Sequence, residues 1–321
     1  MTAGNASAAL PFSAIYAFGD SLSDVGNVYL ATNLATGGER PEPGPPYVDG
    51  QFSNGPIWVQ DLAEMMSLPA LTPSLINGND FAWGGATAGA GAAVPSLLDQ
   101  VGIFLAAKGG APSNALYTFS IGANDLFGVL SGSAQPRGLS QIAGDVAKAA
   151  QALELAGARH LMLFGVPNLG LTPMILTAGA PDLPAEASSL TRRFNETVLA
   201  DIAAEAPRLA VYYIDAYGLL TDVVSDPGRF GFANVTDPCW TGEIAGYLGG
   251  GSLCSELQDV QNRRLFWDSA HPTQAAHRLV ADAGAGLTGV ILGFAKFRAR
   301  KARAVGFARS APSSSATDCA G

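Results

Sequence analysis

Apolar residues along this chain alternate between two textures. Short blocks rich in β-branched and aromatic residues occupy 14–18, 115–121, 160–166 and 210–214, while longer stretches around 57–66, 139–156, 188–206 and 273–285 repeat their apolar positions every three or four residues. Short continuous runs read as strands buried on both faces, and the 3.6-residue period reads as helices with one apolar stripe. Strands and helices taking turns along the chain predict a parallel sheet covered on both sides. The expected class is therefore α/β, a three-layer α/β/α arrangement around a doubly wound, mainly parallel sheet. No internal repeat of solenoid length is visible.

Composition adds size and surface. The chain has 321 residues, of which 48% are hydrophobic, ample for a full core. No linker-like stretch divides the middle, so one domain over 14–295 is expected, with an extension at 1–13 and a basic, disordered tail at 296–321. Charged residues make up only 14%, against roughly 25% in an average soluble domain, and Gly (39) and Pro (20) are abundant. This suits a loop-rich exported protein. The net charge of −9 is unevenly spread: Lys296, Arg298, Arg300, Lys301, Arg303 and Arg309 face a single acid, Asp318, in the tail. An acidic body argues against nucleic acid as a partner, because that binding is driven by phosphate neutralisation. The tail could make peripheral contact with anionic lipid, although a solvated end is the favoured reading.

No run approaches the ~18 apolar residues that span a bilayer, and the first ten residues lack the basic start of a signal peptide. Either the protein is cytoplasmic or a leader is absent from this chain. Cysteine placement favours the second. Cys239 and Cys254 flank a Gly-rich segment, and a disulfide closing a loop of that size contributes about 3 kcal/mol in the chain-entropy model. Such a bond implies an oxidising, secreted or periplasmic setting. Two unpaired thiols in a cytosolic protein are the alternative; Cys319 is left over in the tail.

The candidate chemistry lies at the two ends of the chain. Ser21 follows the first predicted strand within Gly19-Asp20-Ser21-Leu22-Ser23-Asp24-Val25-Gly26-Asn27, and Asp268-Ser269-Ala270-His271-Pro272 comes about 250 residues later. A serine hydroxyl is a poor nucleophile at neutral pH unless an imidazole removes its proton, and the imidazole needs an orienting carboxylate. In α/β sheets ligands bind beyond the carboxyl ends of the strands. Ser21 and Asn124 both sit there in the predicted layout, and Ser21 is expected to open a helix whose free N–H groups could serve an oxyanion. Capping is the ordinary role of a serine in that position.

Four blocks in order resemble the GDSL or SGNH hydrolases, a family of esterases and lipases. They are the Gly19–Asn27 segment, Asp80-Phe81-Ala82-Trp83-Gly84-Gly85-Ala86-Thr87, Ile121-Gly122-Ala123-Asn124-Asp125 and Asp268-Ser269-Ala270-His271-Pro272. Gln51-Phe52-Ser53-Asn54-Gly55 with Trp58, and Gly165-Val166-Pro167-Asn168-Leu169-Gly170, resemble secondary signatures of bacterial phospholipase-like and plant members. Asp80 stands where the family often has Asn, and Gln51 where Arg is frequent. The resemblance implies a flavodoxin-like SGNH fold and a Ser21–His271–Asp268 triad. It also implies an oxyanion hole from the Ser21 and Gly85 N–H groups and the Asn124 side-chain amide, with Gly84 the rival to Gly85. Asp-x-x-His is too short a spacing for a regular helix to pair the two side chains, so a tight turn is expected there, with Pro272 suiting the first position of the next helix. Asp24, Asn27 and Asp125 read as local structure, His160 as opening a buried strand, and His277 as a surface or packing residue.

Rival chemistries lack support. Gly284-Ala285-Gly286-Leu287-Thr288-Gly289 fits a dinucleotide pattern but follows a predicted helix instead of a strand. The scattered His and Cys residues show no zinc spacing, and no Gly-x-Ser-x-Gly elbow occurs. The expectation is a serine hydrolase acting on small-molecule carboxylic esters or lipids, phospholipid included, through an acyl-enzyme and without metal or cofactor. An acyltransferase using the same acyl-enzyme, and a membrane-binding toxin-like protein with residual esterase activity, are the alternatives. Acyl-chain preference depends on the long loops 35–54 and 226–259, whose conformation the sequence does not give.

Overall fold

The computed structural model describes residues 12–90, 93–132, 137–246 and 250–288. The tail at 296–321, with its expected lipid contact, and most of the extension at 1–13 lie outside the described residues. Four five-residue strands, β1 (Ile15–Gly19), β2 (Leu116–Ser120), β3 (His160–Phe164) and β4 (Ala210–Ile214), pair in parallel in the order β1-β2-β3-β4. They coincide with the predicted blocks to within two residues at each end.

Ten helices are present among the described residues. In chain order they are α1 (Asn27–Ala35), α2 (Trp58–Met65), α3 (Leu97–Lys108), α4 (Ala123–Leu130), α5 (Leu139–Leu155), the single turn α6 (Pro173–Leu176), α7 (Leu183–Glu205), α8 (Ala216–Ser225), the single turn α9 (Gln258–Gln261) and α10 (Gln274–Leu287). None of them is long and apolar enough to cross a membrane. The predicted helix at 188–206 starts five residues earlier than its periodicity suggested, at Leu183 with Pro184 in its first turn, where proline costs no hydrogen bond.

The strand sequences explain the layering, because successive side chains point to opposite faces. Phe18, Tyr117, Phe119, Leu161 and Leu163 project to one face and meet α3, α5 and α7. Ile15, Ala17, Leu116, Met162, Phe164 and Ile214 project to the other and meet α2 and α10. Both faces are therefore apolar, and the strands read as continuous runs instead of alternating ones. β4, at the edge, is the most open to solvent of the four strands. Phe12 packs into the second face, so the packed body begins ahead of the expected boundary at residue 14.

A short extended segment completes the winding. The N–H of Ala17 donates to Asn79 O at 3.0 Å, and those of Phe81 and Trp83 donate to Ala17 O at 2.7 Å and Gly19 O at 3.0 Å. It pairs with β1 on the side away from β2, so the chain winds in both directions from β1. The crevice at the carboxyl end of β1 is the topological switch point, where α/β sheets place ligands.

Gly19 ends β1 at φ +144°, and a Cβ there would stand 2.0 Å from the Ser120 carbonyl oxygen. Gln100 from α3 braces the same residue, accepting from its N–H at 2.8 Å and donating to its carbonyl at 2.9 Å. Gly19→Ala is expected to cost roughly 3 kcal/mol or more, combining an unfavourable φ with a forced separation of β1 and β2. Urea denaturation measures it; a change below about 0.5 kcal/mol, the range of neutral surface substitutions, contradicts this account of the strand end.

Candidate active site

After Gly19 the chain makes one turn, with the Ser23 and Asp24 N–H groups both donating to Asp20 O at 3.0 and 3.1 Å. The turn does not continue. Gly26 adopts φ +128° and α1 starts only at Asn27, which corrects the expectation that Ser21 opens a helix. The cause is Asp24, whose carboxylate accepts from the N–H groups of Gly26 (2.8 Å), Asn27 (2.6 Å) and Val28 (3.2 Å) and so starts the helix there. Ser21 thus sits in a turn, six residues ahead of the helix dipole.

The other end of the chain arrives through a tight turn, as its spacing requires. Asp268 Oδ1 accepts from the Ala270 N–H at 2.8 Å and the His271 N–H at 2.7 Å, and the Trp267 N–H closes onto His271 O at 2.8 Å. Pro272 does not open α10, however. Thr273 is its N-cap and Gln274 its first residue, because residues 266 and 272 are still bridged across the turn.

The structure brings Ser21, His271 and Asp268 into one chain of contacts. Ser21 Oγ lies 2.7 Å from His271 Nε2, and His271 Nδ1 lies 2.7 Å from Asp268 Oδ2. All three residues are buried, Asp268 completely, and the Phe52 ring packs against the imidazole with centroids 5.2 Å apart.

Gly85 and Asn124 line the same cavity as Ser21 and His271. Among the described residues, neither the Ser21 nor the Gly85 N–H has a hydrogen-bond partner, whereas the Gly84 N–H donates to Asp24 Oδ2 at 2.9 Å. Asn124, in the first turn of α4, donates one side-chain N–H to Ala86 O at 2.9 Å; its second is available. Gly85 needs to be glycine for conformation, at φ +81° with open space where a Cβ would be. Gly84 needs it for room, since a Cβ there would meet the Phe52 ring at 2.5 Å. The cavity is about 460 Å³ and mostly apolar, with Phe52, Phe127, Leu219, Leu265 and Val280 among its walls.

Residues 15–283 match the model of the GDSL-like Lipase/Acylhydrolase family. The chain belongs to that family. Among relatives, it is 29% identical over 281 residues to the Thermolabile hemolysin of Vibrio parahaemolyticus, covering 84% of this chain and 62% of that protein. It is 30% identical to the GDSL esterase/lipase At5g55050 of Arabidopsis thaliana, with 84% of each covered. To the Phosphatidylcholine-sterol acyltransferase of Aeromonas hydrophila it is 25% identical, covering 85% of this chain and 89% of that one.

Within this GDSL hydrolase, several groups that read in the sequence as local structure tie the blocks together. Asp24 joins the serine turn to the Gly84-Gly85 segment, and Asn27 Nδ2 donates to both Asp80 O and Ala82 O at 2.9 Å. Asp80 accepts from the Val25 N–H at 2.8 Å through one carboxyl oxygen and from the Ala82 N–H at 3.0 Å through the other. An Asn in its place would have only one acceptor for these two donors. Asp125 accepts from the Ala88 N–H at 2.9 Å and lies 3.6 Å from Arg137. Burial pushes Asp24 and Asp125 up to about 6 and Asp20 up to about 7. His277, taken from the sequence as a surface or packing side chain, is a fully buried packing residue on α10, held neutral by burial and by its nearness to His271, with its pKa lowered to about 3. Gly284 to Leu287 fall within α10, so the dinucleotide-like pattern starts on a helix.

Tyr47 was not singled out from the sequence. It lies in the proline-rich loop before the Gln51–Gly55 signature, and only the fold brings its hydroxyl 2.7 Å from Asp268 Oδ2. The Cys239–Cys254 disulfide is formed, with Cα atoms 4.7 Å apart, and packs with Tyr47, Trp240 and Trp267.

Burial alone would lower the pKa of His271, but the Asp268 charge and hydrogen bond, with Asp20 adding to them, hold it above its ordinary value. Asp268 is pushed up by burial and pulled further down by His271 and two backbone N–H groups, ending below the usual carboxylate range. An imidazolium cannot accept the serine proton, so the rate should fall as pH drops through a midpoint above the ~6.5 reference for histidine. The pH dependence of kcat/KM on a soluble ester measures it. A midpoint below about 6 contradicts the raised value.

Proposed function

We propose that the chain is a carboxylic-ester hydrolase, an esterase or lipase, acting through an acyl-enzyme formed on Ser21. The observation that carries this reading is the 2.7 Å contact between Ser21 Oγ and His271 Nε2, inside an apolar cavity where two backbone N–H groups have no partner among the described residues. His271 takes the serine proton as Oγ attacks the ester carbonyl and returns it to the leaving alcohol. Asp268 fixes the tautomer, keeping the Nδ1 proton on its own side so that Nε2 presents a lone pair. The carbonyl oxygen becomes an oxyanion that accepts from the Ser21 and Gly85 N–H groups and the Asn124 amide. Water, activated by the same imidazole, then releases the acid. The engagement of the Gly84 N–H by Asp24 supports Gly85 over Gly84 as the donor.

An apolar cavity suits an ester with a hydrocarbon acyl or alcohol portion, lipids included. The Aeromonas relative, named as an acyltransferase, favours a second reading in which an alcohol replaces water at the acyl-enzyme; product analysis with an added acceptor alcohol separates the two. The disulfide supports an oxidising, secreted or periplasmic setting.

Ser21→Ala is expected to lower kcat/KM for p-nitrophenyl esters by about 10⁴-fold or more and to abolish labelling by a fluorophosphonate. Retention of the original rate by folded Ser21→Ala protein rules the reading out. Asn124→Ala should lower kcat by about 10²- to 10³-fold with little change in KM, the loss typical of one oxyanion donor. Steady-state kinetics checks it, and a change confined to KM would assign Asn124 to binding instead.

A further inference from the structure

We propose that Tyr47 is a positioning residue for the proposed triad, and that the disulfide-closed loop on its far side sets its hydroxyl. The inference rests on the reading of Ser21, His271 and Asp268 given above. The Tyr47 hydroxyl donates to Asp268 Oδ2 at 2.7 Å, the same oxygen that receives His271 Nδ1. It also accepts from the Ala245 N–H at 3.1 Å. The contacts therefore run from a backbone amide in the 239–254 loop through Tyr47 to Asp268, His271 and Ser21. The ring is 6% exposed and packs edge-on to Trp267 and Phe52, with centroids 6.2 Å away in each case. Phe52 in turn packs on His271.

The loop has its own anchors. Cys239 and Cys254 join its two ends, and Trp240 Nε1 donates to Glu243 O at 3.1 Å, two residues before Ala245. Ala245 adopts φ +60°, a backbone state uncommon for a residue with a side chain, and its N–H is turned onto the phenol. Ile244 and Ala245 also line the cavity. Closing the loop thus both shapes a wall of the cavity and holds Tyr47.

The chemical effect follows from sharing one oxygen between two donors. With the Tyr47 hydroxyl in place, Oδ2 has a second fixed direction of approach besides His271, so the carboxylate cannot swing. Part of the negative potential that stabilises the imidazolium is also directed to the phenol. Removing the hydroxyl leaves more of it to His271, raising the imidazole pKa and loosening the carboxylate. Burial and the neighbouring Asp268 charge push the Tyr47 pKa up, so the phenol stays a donor throughout the working range.

The test uses the full chain and a p-nitrophenyl ester. Tyr47→Phe keeps the ring and its packing. Expected are a fall in kcat of about tenfold or more, the range for a hydrogen bond to a charged group, with KM nearly unchanged. The acid limb of the rate profile should move to higher pH. Cys239→Ala with Cys254→Ala, which frees the loop while leaving the Tyr47 hydroxyl in the chain, should shift the same limb in the same direction and lose kcat. Combined with Tyr47→Phe it should add less than its own separate loss. An unmoved acid limb in folded Tyr47→Phe overturns the proposal even if kcat falls, since that pattern is a general structural effect. Fully additive losses overturn the role of the loop. Should Tyr47→Phe fail to fold, an unmoved limb in the cysteine variant overturns both. The underlying reading is judged separately: wild-type protein that neither hydrolyses the ester nor takes up fluorophosphonate at Ser21 defeats it, whatever Tyr47 does.

Discussion

A carboxylate with no exposed surface must be surrounded by donors or lose its charge, and Asp268 is surrounded by four. The Ala270 and His271 amides, the His271 ring and the Tyr47 hydroxyl approach its two oxygens between 2.7 and 2.8 Å. Desolvation by itself would push its pKa up, and these groups more than offset that. Because the charge is kept, the imidazole beside it has a fixed tautomer and a raised basicity, and the serine beyond has an acceptor. Leaving such a charge unpaired is strongly destabilising. The turn at 268–272 and the loop at Tyr47 are therefore held together by this buried charge.

The same logic extends to the other buried acids. Among the described residues, Asp24 and Asp80 have no counter-charge and accept only from backbone N–H groups in separate parts of the chain. Each one fastens the serine turn to the segment bearing Gly84 and Gly85. Distances between the Ser21 and Gly85 amides are thereby set by hydrogen bonds that also cap α1. In the proposed mechanism these amides are the oxyanion donors, and preorganised donors of that kind are usually the largest single contribution to such catalysis.

Much of this was legible in the sequence, and the remainder was hidden for identifiable reasons. The strands were visible because both faces of the sheet are apolar, which produces uninterrupted runs such as Leu161 to Phe164. Ser21, His271 and Asp268 stood out because their types and local spacing are chemically distinctive, and the turn between Asp268 and His271 follows from three residues of separation. Helix α3 was missed: Leu97 to Lys108 has apolar residues on several sides, so its period is blurred. The segment pairing with β1 at 79–83 was not read as a strand, since it is short and runs directly into Gly84 and Gly85. Tyr47 gave no local signal. Its partner is 221 residues away, and nothing in a proline-rich loop announces a long-range contact. Ser21 was misplaced at a helix start because Asp24, three residues on, captures the first helical N–H groups.

The central claim is that buried, ionised Asp268 holds His271 with its proton on Nδ1 and its Nε2 lone pair toward Ser21. Nitrogen-15 NMR of histidine-labelled protein, with His271 assigned by difference from the His160 and His277 signals, reads this directly. The account predicts a neutral His271 protonated on Nδ1, with a strongly downfield proton shared with Asp268, titrating above the ~6.5 reference value. A neutral His271 carrying its proton on Nε2, or one that titrates below about 6, would contradict it.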